Sequence, residues 1–331
     1  MAAAAGEERK KTACVTGGTG RALILNCVPE DKEANSHLED LKKLGTLEVF
    51  RADLGEEGSY DEAVAGCDYA FLLAAPKELI ELGVQGTLNV MRSCVKAGTV
   101  KRVILTSSTA AVSSRSLEGD GHVLDEESFS DVEYLLAKRT GLWAYSVSKV
   151  LLEKAASRFA AEHGISLVTL CPSVTVGEAP DRQAELNVLR GIERASGSVP
   201  LVHVRDVCRD EIFAAEAEAA AGRYICNGLD TTILEISRFL AGKYPQYDVN
   251  TDISGDLLAK PVALLPSTKL EKEGVRVRVQ DAGAHLQRHG GVRQGPGDPA
   301  QLIPCVLGSA IYQYPRKISP CACFLSRQNA K

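Results

Sequence analysis

The sequence predicts an α/β protein built on a doubly wound parallel sheet with a smaller C-terminal lobe, and three observations predict it. Short, near-continuous apolar runs alternate with segments of helical periodicity, the pattern of strands buried on both faces by crossover helices. The first apolar run, residues 12–16, feeds the glycine cluster Gly17-Gly18-Thr19-Gly20. A helix starting at Trp143 carries Tyr145 and Lys149 four residues apart, so the two share one face, a turn from each other.

Taken in order, residues 12–16 form a short strand that opens into the glycines. Residues 36–43 form a helix with Leu38 and Leu41 on one side and Asn35 or Ser36 as its cap. Residues 47–53 read as a strand closed by Asp53-Leu54, and residues 59–65 as a helix capped by Ser59. Residues 68–76 are an apolar strand stopped by Pro76. Residues 79–97 form a long helix, with Val84, Leu88, Met91 and Cys94 or Val95 at helical spacing. Residues 102–108 are the next strand. The Tyr145 helix buries a stripe of Val147, Val150, Leu151 and Leu152 continued by Ala155 and Ala156, and residues 165–172 follow it as a strand. Beyond about Gly177 the units shorten: a strand at 201–207 running into a helix through Ile212 and Ala214, a strand at 223–226, and a helix at 231–243 ended by Tyr244-Pro245. The chain divides accordingly into a nucleotide-binding Rossmann-like part at 11–177, a substrate lobe interleaved with the sheet at 178–274, and a tail at 275–331.

Composition excludes several classes. Hydrophobic residues at 45% and charged residues at 24% are ordinary for a soluble globular chain. The net charge of −5 offers no footprint for nucleic acid. Nor is any apolar run long enough to span a bilayer. The first eleven residues have no apolar core of a secretory signal, so the expected compartment is the cytoplasm. Cys14, Cys67, Cys94, Cys171 and Cys226 sit in apolar segments and read as buried thiols of a reducing compartment. There is no cluster with metal-ligand spacing. His163 and His203 read as structural, with His203 placed to cap a turn.

The candidate site gathers at one edge of the sheet. Gly17 and Gly20 lie where backbone N–H groups and a helix N-terminus hold a pyrophosphate. Asp53 and Leu54 end one strand and can meet the adenine. Ala75 ends the next, Thr106-Ser107-Ser108 another, and Pro172 the fifth. Ligands of such sheets bind at the carboxyl ends of the strands. A lysine cation beside a phenol favours the phenolate, so Lys149 is expected to lower the Tyr145 pKa.

Several segments together resemble the extended short-chain dehydrogenase/reductases, and within them the plant flavonoid reductases, nearest to the anthocyanidin reductase group. They are residues 12–18, 50–54, 86–94, 103–108 and 130–134, Trp143-Ala144-Tyr145 with Ser148-Lys149, and Val202-His203-Val204 with Arg223-Tyr224-Ile225-Cys226. The resemblance spans about residues 11–274. It implies Tyr145 as general acid and Lys149 as the holder of the nicotinamide ribose. Ser108 would polarise the substrate oxygen, with Ser107 as the neighbouring alternative. Gly17, Gly20, Asp53, Leu54, Ala75 and Pro172 would line the dinucleotide. It also implies NADPH as cofactor, no metal, a flavonoid substrate such as an anthocyanidin reduced to a flavan-3-ol, and a monomer or homodimer.

The chain departs from that pattern in five places. Leu23 stands where a third glycine belongs. Only residues 21–29 precede the acidic Glu30-Asp31, so the first βαβ unit, which needs on the order of 30 residues, is shortened by about half. Shortenings also fall at 76–78 and between Val176 and Leu189. After Gly274 the family's amphipathic helix and Gly-Ile-Leu-Pro ending are replaced by a stretch rich in Gly, Arg and Gln. Codons for residues 279–302 can be chosen that restore that ending when read one nucleotide later. This points to a frameshift shortly before Val279, a poorly packed tail, and no implied role for Cys305, Cys321 or Cys323. Alongside an active reductase, the sequence therefore leaves open a catalytically silent product of the same lineage, a dihydroflavonol 4-reductase-like activity, and a nucleotide-sensing scaffold. Sequencing the transcript is expected to show the second reading across codons 279–302; codons that do not encode it refute the frameshift.

Overall fold

The computed structural model describes residues 11–16, 42–43, 45–73, 80–139, 141–176, 186–243, 245, 251 and 257–275. Gly17, Gly20, Leu23, Ala75, most of the expected 36–43 helix and the tail from 276 onwards lie outside the described residues.

The main sheet is parallel, in the order β1-β2-β3-β5-β8. Strand β1 (Ala13–Val15) is followed by the short helix α1 (Asp61–Val64), β2 (Tyr69–Leu72), helix α2 (Ile80–Ala97) and β3 (Arg102–Thr106). Then come β4 (His122–Val123), α3 (Val132–Lys138), α4 (Trp143–His163), β5 (Ser166–Pro172), β6 (Val174–Val176), α5 (Leu186–Ser196), β7 (Val199–His203), α6 (Val204–Glu216) and β8 (Gly222–Cys226). Strand β9 (Leu229–Thr231), α7 (Ile233–Lys243), β10 (Ala263–Leu264) and α8 (Thr268–Lys272) complete the order.

The continuous apolar strands predicted two covered faces, and the alternation of side chains along them sorts the core accordingly. Ala70, Leu72, Val103 and Leu105 point to one face and pack with Val90, Met91 and Cys94 of α2 and Leu152, Ala156 and Phe159 of α4. Tyr69, Phe71, Ile104, Val168 and Leu170 point to the other, against Ala214 and Ala215 of α6 and Leu270 of α8. A separate three-stranded sheet, β6-β7-β9, packs with α5 and α7 through Val176, Leu189, Val199, Leu201, Ile236 and Leu240. The strand expected at 223–226 is β8, and it pairs with β5 at the edge of the main sheet. No described helix is long and apolar enough to cross a membrane.

Two local expectations are corrected. Residues 46–53 run as irregular chain and pair with no described strand, because an extended segment becomes a strand only when a neighbour completes its ladder. Ser59 does not cap α1. Its hydroxyl instead donates to the Asp53 carbonyl at 2.6 Å and accepts from the Asp53 N–H at 3.1 Å, and Tyr60 takes the cap position. That turn sets Leu54 against α2, where Gly86 leaves room for it. A Cβ on Gly86 would lie 2.8 Å from Leu54 Cβ and 2.9 Å from Leu54 Cδ2.

Glycine inside a helix is ordinarily a defect that alanine repairs. Here Gly86→Ala is expected to lower stability by about 1–3 kcal/mol, the range for overpacking, as measured by urea unfolding; a gain would show that Leu54 moves aside at no cost.

Candidate active site

The site is assembled where β3 and β5 end and α4 begins. Ser108 follows β3 and caps the 3-10 turn Thr109–Ala111, its hydroxyl accepting from the Ala110 N–H at 3.2 Å. Ser130 braces the same turn, donating to the Ala110 carbonyl at 2.7 Å and accepting from the Ser114 N–H at 2.8 Å. Ser108 is thereby aimed at α4, where its hydroxyl lies beside the Tyr145 phenol and favours its ionised form. Lys149, one turn along, donates from Nζ to the Thr106 carbonyl at 2.9 Å and sits 5.6 Å from the centre of the Tyr145 ring.

The two serines of the strand end therefore separate. Ser107 is buried and donates to the Glu153 carboxylate, while Ser108 is half-buried and faces Tyr145. Pro172 ends β5 in register with Cys226. Asp53 closes a turn, its carboxylate accepting from the Gly55 N–H at 2.8 Å, and the Leu54 carbonyl accepts from Asn89 Nδ2 at 2.8 Å. The structure brings Ser108, Tyr145 and Lys149 together. No hydrogen bond among the described residues joins Asp53, Leu54 or Pro172 to them. His203 caps α6, its Nδ1 accepting from the Arg205 N–H at 3.1 Å, and His163 stacks on Phe159.

Burial, not the lysine, governs the phenol. The expectation that Lys149 lowers the Tyr145 pKa is corrected: loss of water pushes Tyr145 up to about 12, only partly offset by the neighbouring Ser108 hydroxyl. The same desolvation brings Lys149 down to about 8, against the opposing charge of Glu153. Near neutrality Tyr145 is thus a proton-bearing phenol and Lys149 still mostly a cation. Lys149 has three ammonium protons and hands one to Thr106. Its remaining protons lie at the carboxyl edge of the sheet, beside a phenol. That donor set fits the diol of a nicotinamide ribose.

Sequence reasoning missed the buried acids around this edge. Glu153, 1% exposed, lies one further turn along α4 and forms an ion pair with Arg223 of β8 at 2.8 Å between Oε2 and Nε. The i, i+4, i+8 series Tyr145, Lys149, Glu153 was a signal for it. On the opposite face Glu211 of α6 accepts from Thr106 Oγ1 at 2.6 Å. Burial pushes Glu211 up to about 8 and its neighbour Asp210 up to about 7.

Three comparisons bear on the site. Residues 14–226 match the model of the NAD dependent epimerase/dehydratase family. A Vitis vinifera protein, anthocyanidin reductase ((2S)-flavan-3-ol-forming), is 40% identical over 305 residues, covering 80% of this chain and 90% of that protein. Dihydroflavonol 4-reductase of Arabidopsis thaliana is 37% identical over 283 residues, 75% of this chain and 73% of its own length. The crystal structure of vestitone reductase from alfalfa superposes with a TM-score of 0.65 at 31% identity, covering 81% of this chain and 94% of that one.

The raised acids imply a pH dependence with a definite sign. Asp210 and Glu211 hold protons in the folded state that the unfolded chain releases between their ordinary and raised pKa values. Their contribution to stability is present in full below the unfolded pKa and is lost as pH rises towards 8. Glu211→Gln, which keeps an acceptor for Thr106, is expected to raise stability at pH 8 by up to a few kcal/mol and to flatten the fall between pH 5 and 8, on the order of one kcal/mol per pKa unit, measured by denaturant unfolding across that range; an unchanged profile refutes it.

Proposed function

The chain belongs to the NAD dependent epimerase/dehydratase family and is an NAD(P)-dependent oxidoreductase, and from that premise we propose that it is an NADPH-dependent flavonoid reductase. Its substrate is an anthocyanidin, reduced to a flavan-3-ol such as epicatechin. The observation that carries this reading is the meeting of Ser108, Tyr145 and Lys149 at the carboxyl edge of the sheet. The 40% identity to a protein named for that reaction supports the substrate class.

The residues divide the work by their protonation states. Lys149, with spare ammonium protons, holds the ribose diol and so fixes the nicotinamide over the substrate. Bound nicotinamide would supply hydride, and two hydrides with one proton take a flavylium cation to a flavan-3-ol, so two reduced cofactors are used per product. Ser108, whose hydroxyl lies beside Tyr145, orients the substrate oxygen. Tyr145 carries its proton at neutral pH, as a general acid must, and the Lys149 cation stabilises the negative charge left on the phenol oxygen as the proton departs. The substrate class lightens the demand on this acid, since a flavylium ring is already cationic and accepts hydride without strong polarisation. Residues 11–177 form the nucleotide-binding part on this reading, with Gly17, Gly20, Asp53, Leu54, Ala75 and Pro172 along the dinucleotide, and residues 178–274 supply the flavonoid pocket.

Tyr145→Phe is expected to lower kcat by about 100-fold or more, the usual scale of a general acid, while NADPH affinity from fluorescence titration stays within about twofold. Retained turnover refutes the role of Tyr145. Absence of saturable NADPH binding by the unsubstituted chain refutes the reductase reading and leaves the silent-product reading, which the Leu23 substitution favours.

A further inference from the structure

A lysine ammonium almost without solvent needs an anion, and the fold provides one in an unusual way. Lys149 is 3% exposed. The groups around it are the Thr106 carbonyl from β3, which accepts its hydrogen bond, Tyr145 and Glu153 one turn to either side on its own helix, and the Cys171 thiol of β5, which lies against Glu153. Glu153 alone among these is formally anionic, and it lies one turn along the same face.

Glu153 is itself in need of support. A carboxylate 1% exposed would take up a proton unless cations and donors held it ionised. Arg223 of β8 supplies the cation at 2.8 Å, Ser107 donates its hydroxyl, and the Cys171 thiol lies 3.8 Å away. Arg223 has little freedom to leave. Its Nη1 donates to the Glu126 carbonyl at 2.6 Å and the Ser128 carbonyl at 2.8 Å, and its guanidinium lies 3.9 Å over the Phe129 ring. Lys149, Glu153 and Arg223 thus form a line of alternating charge, running from the site to the edge strand of the sheet.

We propose that Glu153 is a positioning residue, clamped by Arg223 and Ser107, whose buried carboxylate keeps Lys149 charged and aimed at the edge where Tyr145 and Ser108 meet. The alternative is a tie that merely fastens α4 to β8. A buried ion pair is a poor device for that alone, since well-packed apolar side chains of similar volume usually hold two elements together at least as stably. Its chemical effect on the neighbouring ammonium distinguishes it. The inference rests on the reading of Lys149 as part of the active site, and the test separates the two.

The lysine Cε resonances of the ligand-free full chain, labelled with carbon-13, give the Lys149 titration midpoint, assigned by its disappearance in Lys149→Met. Glu153→Gln keeps the shape and the Ser107 contact but removes the charge. It is expected to lower that midpoint by roughly one pH unit or more, the scale for loss of a close opposite charge. Glu153→Gln with Arg223→Met strands no charge and should give a midpoint between that of Glu153→Gln and the unsubstituted chain. A midpoint unchanged in Glu153→Gln, with only the melting temperature lowered, overturns the proposal and leaves the tie. Should the single variant fail to fold, the double variant decides: a lowered midpoint supports the proposal and an unchanged one overturns it. NADPH affinity against pH is the second readout. Its alkaline limb should move with the Lys149 midpoint. A midpoint that shifts while affinity ignores it upholds the counter-ion and refutes the placing of Lys149 at the cofactor.

Discussion

Removing water from the edge where β3, β5 and α4 meet is the constraint on which the candidate site depends. Desolvation raises the Tyr145 pKa, lowers that of Lys149 and works against the ionisation of Glu153, so each group has to be answered by a neighbour. Tyr145 has Ser108, Lys149 has the Thr106 carbonyl and the Glu153 charge, and Glu153 has Arg223 and Ser107. The same dryness makes the Lys149 charge effective, because an interaction screened in water is felt strongly where water is excluded.

The sheet is what holds those groups in register. Consecutive residues of one strand end are sent to different tasks by the alternation of the backbone. Ser107 turns into the core towards Glu153, Ser108 turns to Tyr145, and Thr106 serves both faces, its carbonyl accepting from Lys149 and its hydroxyl donating to Glu211. The neighbouring strands extend the arrangement. Cys171 of β5 lies against Glu153, and Arg223 of β8 closes the line from the sheet edge. Helix α4 can present Tyr145, Lys149 and Glu153 in one row at the sheet edge because Leu152, Ala156 and Phe159, on the same sheet-facing side, anchor it over the sheet.

Carboxylates buried beyond the row of Tyr145, Lys149 and Glu153 show the stability given up to build this edge. Asp210 and Glu211 sit on α6 with their pKa values raised into the neutral range, which a wholly apolar helix face would avoid. Glu211 joins the site through the Thr106 hydroxyl, so the residue that receives the Lys149 hydrogen bond is tethered from both faces of the sheet. Proteins commonly concentrate such locally unfavourable groups where function needs fixed charge and geometry.

The sequence by itself determined the parallel sheet, the helices that cover it and the Tyr145–Lys149 pair, because these follow from local periodicity: apolar runs for strands buried on both faces, and a spacing of four for one helical face. It also placed His203 at a turn and Ser108 at a strand end. It named Ser108 with Ser107 as the neighbouring alternative, and what each serine meets depends on which way it points once β3 lies beside β5 and under α4. Residues 47–53 carried the pattern of a strand, yet a strand exists only with a partner. The direction of the Tyr145 pKa was misjudged for a related reason. Spacing along a helix reveals a neighbouring charge, whereas desolvation is set by every element packed around the group, and here desolvation is the largest influence on the phenol. The pairing of Glu153 with Arg223, seventy residues apart, was likewise decided only in three dimensions, where β8 docks at the edge of the sheet and brings its guanidinium to α4.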